Sequence, residues 1–273
     1  MKIEIIVPAI NLWHKYTKGA LDSVMEAMVR AKAHGIDCHI ILIDNNSTDE
    51  TQAEASKLNA NLVYYQRNEE RWGFQRSVNF GVAYGIEHGA EAFLVCNNDI
   101  VIHPEAIWRL VERLSKGDAG MVTCMDIRGE MQQFGIMPST IGTVSAKEKE
   151  SVDEAPNPNF SAFMISKDCW EVCGEMDEGF YPAYFEDTDY HYRMNVLEIP
   201  AITFPPALFY HFGSRTQNEA QENGQPIVPG GLFENNRAYM MKKWGSTKAE
   251  EIVYTHPFDD ETKSIRWTKQ NPV

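Results

Sequence analysis

Residues 38–50 read CHIILIDNNSTDE: the apolar run Ile40-Ile41-Leu42-Ile43 gives way at once to Asp44-Asn45-Asn46-Ser47-Thr48-Asp49. An unbroken apolar run that ends in a polar cluster predicts a strand buried on both faces, because alternation is lost when helices cover both sides of a sheet. Upstream, residues 3–7 form a second such run, closed by Pro8. Between the two, Leu21, Val24, Met25, Met28 and Val29 recur at helical spacing, and Gly35 stands where helix C-termini favour glycine. This is a strand, helix, strand unit. Downstream the pattern repeats, with a helix over about 49–58, a strand at 62–65, a helix over about 74–88 and a strand at 92–96. A helix over 104–114, with Pro104 suited to its first turn, and a strand at 119–125 complete the regular part. Such alternation predicts an α/β fold with an open, mostly parallel central sheet and helices on both faces.

The alternation stops after residue 125. Residues 126–159 scatter Gly and Pro around the run Lys147-Glu148-Lys149-Glu150, which predicts hairpins or a mobile loop, an insertion of the kind that shapes a substrate site. A strand at 160–165, a helix at 167–173, an acidic helix starting near Glu186, a strand at 201–204 closed by a Pro205-Pro206 turn, and a helix at 232–244 follow. After Tyr254 the chain reads as an irregular arm. No internal repeat and no linker long enough to separate independent domains is present.

The 273 residues, 43% hydrophobic and 23% charged, suffice for one sizeable core. Lys and Arg number 25 against 39 Asp and Glu, a formal charge of −14, which argues against sequence-independent nucleic-acid binding but not against a local basic groove. No apolar run reaches the length of a membrane span, and the opening MKIEIIVPAI lacks the layout of a signal peptide. A cytoplasmic or membrane-peripheral protein is expected. The five cysteines form no CxxC pair and read as buried thiols of a reducing compartment, with Cys169 and Cys173 on one helical face.

Four polar constellations carry candidate chemistry. Asp44 to Asp49 follows a strand at the sheet edge where α/β folds bind ligands, and a carboxylate there can accept from a ribose or a base; Ser47 with Glu50 is alternatively a capping box. Asn97-Asn98-Asp99 also follows a buried strand, and a single aspartate so placed can hold Mg²⁺ or Mn²⁺ when phosphates supply other ligands; a polar turn capping the next helix is the plainer reading. Glu186, Asp187 and Asp189 lie among aromatics, unlike a solvated charge run, and suit general-base chemistry. Asp189 and Arg193, four apart, read as a structural ion pair. Last, His211 and Arg215 offer a metal ligand and a phosphate partner, although a lone histidine is more often merely packed.

In chain order these pieces resemble a family 2 glycosyltransferase of the GT-A fold, in its rhamnosyltransferase-like branch. The resemblance runs from about residue 3 to residue 215. It rests on residues 5–8 with Asn11, on 44–49, on Gly73-Phe74 with Asn79 and Gly81, and on Asn97-Asn98-Asp99 in the place of a DXD motif. Residues 174–178 with Phe180, Glu186-Asp187-x-Asp189-x-x-x-Arg193, and His211 complete it. The resemblance implies a nucleotide-sugar-binding half over 1–125, an acceptor-binding and catalytic half over 126–230 carrying a small insertion, and a C-terminal helix and arm over 231–273. It implies an inverting transferase using a nucleotide-diphospho-sugar, with Pro8, Asn11, Asp44, Asn46, Gly73, Asn79, Asn97, Asn98 and Arg215 on the donor. Asp99 and His211 would hold Mn²⁺ or Mg²⁺, Asp187 would deprotonate the acceptor hydroxyl, and Glu186 would support it. Asn97 departs from the usual motif by removing one charged partner from the metal.

Two other classes fit less well. A nonenzymatic nucleotide-sugar binder has no need of Glu186-Asp187. A nucleotidyltransferase would show a Gly-rich basic loop near the first strand, and residues 8–18 hold none. The acceptor is expected to be a saccharide, a lipid-linked saccharide or another hydroxyl compound. A modified phage DNA base would require Arg67, Arg71, Arg76 and Arg215 to form a local basic face.

Overall fold

The computed structural model describes residues 1–213 and 231–245. Eight strands form one sheet: β1 (Lys2–Ala9), β2 (Asp37–Asp44), β3 (Val63–Arg67), β4 (Ala92–Cys96), β5 (Ile100–Ile102), β6 (Met121–Asp126), β7 (Ala162–Ser166) and β8 (Ala201–His211). The helices are α1 (Lys18–Ala33), α2 (Thr51–Ala55), α3 (Gly73–Glu87), α4 (Ala106–Leu114), α5 (Arg128–Gln133), α6 (Lys167–Cys173), α7 (Glu186–Val196) and α8 (Leu232–Trp244). Sheet order is β3-β2-β1-β4-β7-β6-β8-β5. The β3, β2, β1 and β4 strands run parallel, as do β6 and β8, whereas β7 is antiparallel to both neighbours and β5 to β8. The parallel block follows from the alternation, and β7 and β8, from beyond residue 125, extend the same sheet, with β7 between β4 and β6.

The apolar runs are continuous because both faces of the sheet are covered. Ile3, Ile5 and Val7 of β1 join one core cluster with α1 and α4, while Ile6 joins the other with α3 and α6. The close fit of α3 depends on its glycines: a Cβ on Gly81 would lie 2.6 Å from Ile6 Cγ2, and one on Gly85 2.9 Å from Phe93 Cε1. Cys169 and Cys173 do share a helix face, Sγ to Sγ 3.7 Å, and all five cysteines are free thiols.

Four elements differ from the sequence expectation. The Pro205-Pro206 pair does not end a strand. β8 continues to His211, with the register to β6 jumping from Phe204 opposite Cys124 to Leu208 opposite Met125. Proline, lacking an N–H, is accommodated in such a bulge, where no ladder bond is asked of it. Residues 126–159 form α5 and two 3₁₀ segments, Pro138–Thr143 and Ala146–Ser151, not hairpins. Their charged run is pinned: Lys149 pairs with Glu130 at 2.6 Å, and Arg109 of α4 with Glu150 at 3.1 Å. The helix after Asp49 shrinks to α2, and the short β5, too brief to show periodicity, was not expected.

Candidate active site

A cavity of about 560 Å³ opens beyond the carboxyl ends of β1 and β4. The chain reverses its order of strand addition between these two strands, the place where open α/β sheets hold ligands. Pro8, Ala9 and Ile10 from β1 form one part of the wall, and Asn97, Asn98 and Asp99 from β4 another. Gly73-Phe74 at the start of α3, residues 157–161 from the insertion, residues 182–184, Glu186-Asp187 and His211 close it.

The β2 turn meets this cavity only at Asn45. Asp44 is fully buried, its Oδ1 accepting from Ser47 N (2.8 Å) and its Oδ2 from Tyr65 OH (2.6 Å) and Arg67 Nη1 (2.9 Å). Burial, and then the bond to Asp44, push the Tyr65 phenol up, so it stays a donor. Arg67 also donates to Asn46 Oδ1 at 3.2 Å. Asn11, held at φ 54, accepts from Thr48 N at 2.8 Å, and its own N–H donates to Ser47 Oγ at 2.7 Å. Asn11, Asp44 and Asn46, expected on the donor, therefore bolt two loops together, and the wall residue is their neighbour Asn45. Ser47 and Glu50 form no capping box. The hydroxyl is engaged by Asn11, and Asp49 Oδ1 accepts from Thr51 N at the start of α2.

Asn79, also expected on the donor, is buried away from the cavity: its side chain bonds both the carbonyl (2.9 Å) and the N–H (2.8 Å) of Met176, fixing the loop that leads to α7. Gly73 is in the wall at φ +77, where a Cβ would come within 2.8 Å of the Pro182 carbonyl that accepts from Phe74 N. Arg215 lies outside the described residues. Of the arginines considered for a basic face, Arg67 is engaged by Asp44 and Arg76 by Glu70, and Arg71 lines the cavity.

Asp99 does not cap a helix; β5 follows it. Antiparallel pairing of Ile100 with His211 brings the two side chains together, Asp99 Oδ1 to His211 Nε2 3.2 Å, across 112 residues of sequence. The imidazole Nδ1 lies 3.4 Å from Ser161 Oγ. Among the described residues no group of three or more His, Cys, Asp or Glu could hold a metal ion. The pair nevertheless fits two adjacent positions of an octahedral ion: ligands at right angles, about 2.1 Å from a centre, stand about 3 Å apart, and the remaining positions suit water and phosphate oxygens.

Glu186 and Asp187 enter from the N-terminus of α7. Tyr184 and Phe185, at φ 79 and 72, turn the chain sharply into the helix, and Asn236 of α8 steadies that turn by donating to the Ala183 carbonyl at 2.9 Å. The helix is anchored from below by the Asp189–Arg193 pair (2.7 Å), both residues buried, with Arg193 Nη1 also donating to the carbonyls of Cys173 and Glu175. Asp187 Oδ1 accepts from Thr188 N at 2.7 Å and from its hydroxyl at 3.2 Å, and its Oδ2 has no partner among the described residues. Glu186 is 9% exposed. Burial, and then the charge of Asp187, push its carboxyl well above the ordinary carboxylate range.

Sequence reasoning missed Asn157, Asn159, Phe160, Ser161 and Tyr184 as wall residues, and within the segment 44–49 it did not single out Asn45. Only Asn157-Pro158-Asn159 carried a signal, that of a turn.

The model of Glycosyl transferase family 2 matches residues 4–169. The chain belongs to this family. The dTDP-rhamnosyl transferase RfbF of Shigella flexneri is 26% identical over 165 residues, 58% of this chain and 54% of that protein. The chain thus spans about half the length of that curated relative. Three solved structures share the fold at low identity. GalNAc-T7 with UDP, GalNAc and Mn²⁺ superposes with TM-score 0.62 and 13% identity, covering 89% of this chain and 48% of that one. The mannosyltransferase PcManGT from Pyrobaculum calidifontis, in complex with GDP-Man and Mn²⁺, gives 0.60 and 14%, covering 88% and 64%. S. aureus TarS 1-349 gives 0.56 and 13%, covering 89% and 73%. These establish a GT-A fold for this family 2 member. The matched segment ends before Glu186, Asp187 and His211. No described helix is long and apolar enough to cross a membrane.

Proposed function

We propose that the chain transfers a sugar from a nucleotide-diphospho-sugar to an acceptor hydroxyl with inversion at the anomeric carbon. The observation that carries this reading is the convergence in one cavity of a carboxylate with an unpartnered oxygen, Asp187, and the Asp99–His211 pair. Asp187 Oδ2 takes the proton of the acceptor hydroxyl as that oxygen attacks the anomeric carbon, and the nucleoside diphosphate leaves from the opposite side. One displacement inverts the configuration, and no covalent enzyme intermediate is formed. The Thr188 contacts to Oδ1 hold the carboxylate in one orientation, so its free oxygen is presented to the acceptor.

Asp99 and His211 would hold a divalent cation, Mn²⁺ or Mg²⁺, which when bound neutralises charge on the departing diphosphate. Mn²⁺ in two of the structural neighbours supports trying that ion first. The name of the Shigella relative supports dTDP-rhamnose as the first donor to test and a saccharide as the acceptor class. Pro8, Asn45, Asn97, Asn98 and Gly73 then form the donor side of the cavity, with Asn11, Asp44, Asn46 and Asn79 maintaining its shape.

The test is calorimetric titration with UDP-, GDP-, CMP- and dTDP-sugars, with and without Mn²⁺, followed by acceptor screening with the donor that binds. Binding of one nucleotide sugar, strengthened by Mn²⁺, is expected; binding of none refutes the reading.

A further inference from the structure

Among the described residues two buried side-chain polar atoms lack a hydrogen-bond partner, Thr51 Oγ1 and Glu186 Oε2. Only Glu186 belongs to the cavity wall. An unsatisfied buried carboxyl oxygen is costly, and folded proteins rarely keep one that nothing will ever meet. Its surroundings differ sharply from those of Asp187, the next residue. Asp187 is half-buried with an open oxygen, whereas Glu186 is 9% exposed and follows the strained Tyr184-Phe185 turn.

Resting on the transferase reading above, we infer that Glu186 Oε2 donates a hydrogen bond to a second hydroxyl of the polyhydroxylated substrate, beside the one Asp187 deprotonates, and so selects which hydroxyl reacts. The roles separate because the environments differ: Glu186 is buried with an unsatisfied oxygen, whereas Asp187 is half-buried with an open one. Burial acts first on Glu186, and the charges of Asp187 and Asp189 act in the same direction, outweighing the Glu186 and Tyr184 backbone groups that oppose them. A neutral carboxyl is a donor as well as an acceptor, which an ionised one is not. A sugar hydroxyl presented to the pair therefore meets an acceptor on Asp187 and a donor on Glu186. A substrate lacking the second hydroxyl leaves the buried atom unsatisfied, and this is the arrangement by which polar pockets discriminate strongly.

Two measurements on the full chain test this. Infrared difference spectra of the wild type against Glu186→Gln at neutral pH are expected to show the C=O stretch of a protonated carboxylic acid that the variant lacks. A carboxylate signal in its place overturns the inference, whether or not a substrate is known. The second measurement follows dTDP release during transfer from dTDP-rhamnose to methyl hexopyranosides and their monodeoxy analogues. In the wild type, removing the held hydroxyl lowers kcat/KM about ten- to a hundredfold. In Glu186→Leu the parent acceptor loses a similar factor, mostly in KM, and the deoxy penalty at that one position vanishes. Glu186→Gln, whose amide still donates, recovers part of the loss, and it carries the comparison if the Leu variant does not fold. A Gln variant as impaired as Leu, or a deoxy penalty unchanged in the variants at every position, overturns the inference. Failure of the wild type to turn over any pair counts against the dTDP-rhamnose and hexopyranoside assignment, and the infrared band then tests the protonated Glu186 independently of it.

Discussion

Replacing Lys243 by Met tests how α8 is held against α7. Lys243 Nζ lies 2.6 Å from Asp177 Oδ2 and 2.6 Å from Asp189 Oδ1, with all three side chains at most 6% exposed. Asp189 also receives Arg193 and the Trp244 indole N–H (2.8 Å), and Asp177 receives Tyr239 OH (2.9 Å) and Gly179 N (2.8 Å). Two buried carboxylates thus face two buried cations. Methionine keeps most of the apolar stem and removes only the charge, leaving one buried anion uncompensated. Breaking a buried pair in this way costs about 3–5 kcal/mol. For a chain of this size each kcal/mol lowers Tm by about 2–4 °C, so a drop of about 6–20 °C is expected. The pH dependence has a definite sign. Burial raises the Asp177 pKa, but the charge and hydrogen bond of Lys243, with Gly179 and Tyr239, outweigh it and hold the carboxyl below its ordinary value. A depressed carboxylate contributes stability above its unfolded pKa, about 4, and that contribution disappears as pH falls through the folded value. The deficit of Lys243→Met should therefore be complete at pH 7 and narrow in acid. Urea unfolding of both proteins at pH 7 and pH 3, read by tryptophan fluorescence, measures it. A deficit under about 1 kcal/mol at pH 7, or one of equal size at both pH values, refutes the reasoning.

Three further outcomes are expected. Asp187→Asn should lower kcat by about 10²–10⁴ while calorimetry finds donor affinity nearly unchanged, since a base acts only in the chemical step; a parallel loss of donor affinity would show that Asp187 binds the donor instead. Asp99→Ala should abolish the Mn²⁺ enhancement of nucleotide binding, and retention of the full enhancement would place the ion elsewhere. Gly81→Ala should destabilise by about 1–3 kcal/mol in thermal melts, because its new methyl would lie 2.6 Å from Ile6 Cγ2 with no room to relax; a neutral result would mean that α3 can lift from β1 at little cost.

Much of the fold is legible in one dimension because it is local. The apolar runs of β1, β2 and β4, the helical spacing in α1 and the glycine that follows it depend on neighbours within a few residues, and the bounds of those strands were readable to within two residues. The acidic α7 and the final α8 were equally plain. Where signals conflict locally, reading fails: Pro205-Pro206 looks like a stop until the sheet provides a bulge for it, and β5 has three residues and no period at all. The 126–159 insertion reads as loose because its order comes from ion pairs to α4, Arg109 with Glu150 and Arg113 with Glu154, which no composition reveals.

The sequence by itself determined the α/β alternation, the strand ends at which polar clusters fall, and the residue types able to bind a nucleotide sugar and a cation. Only the tertiary structure decided which of those residues share a cavity. Pairing of β5 with β8 carries His211 to Asp99, and the Asn79 and Asn236 contacts aim Glu186 and Asp187 into the space beyond β1. The same packing turned Asp44 inward onto Tyr65 and Arg67. The reason is physical: hydrogen-bond partners and burial are properties of three-dimensional neighbours, and they determine whether a carboxylate braces a loop, holds a metal ion, takes a proton or keeps one.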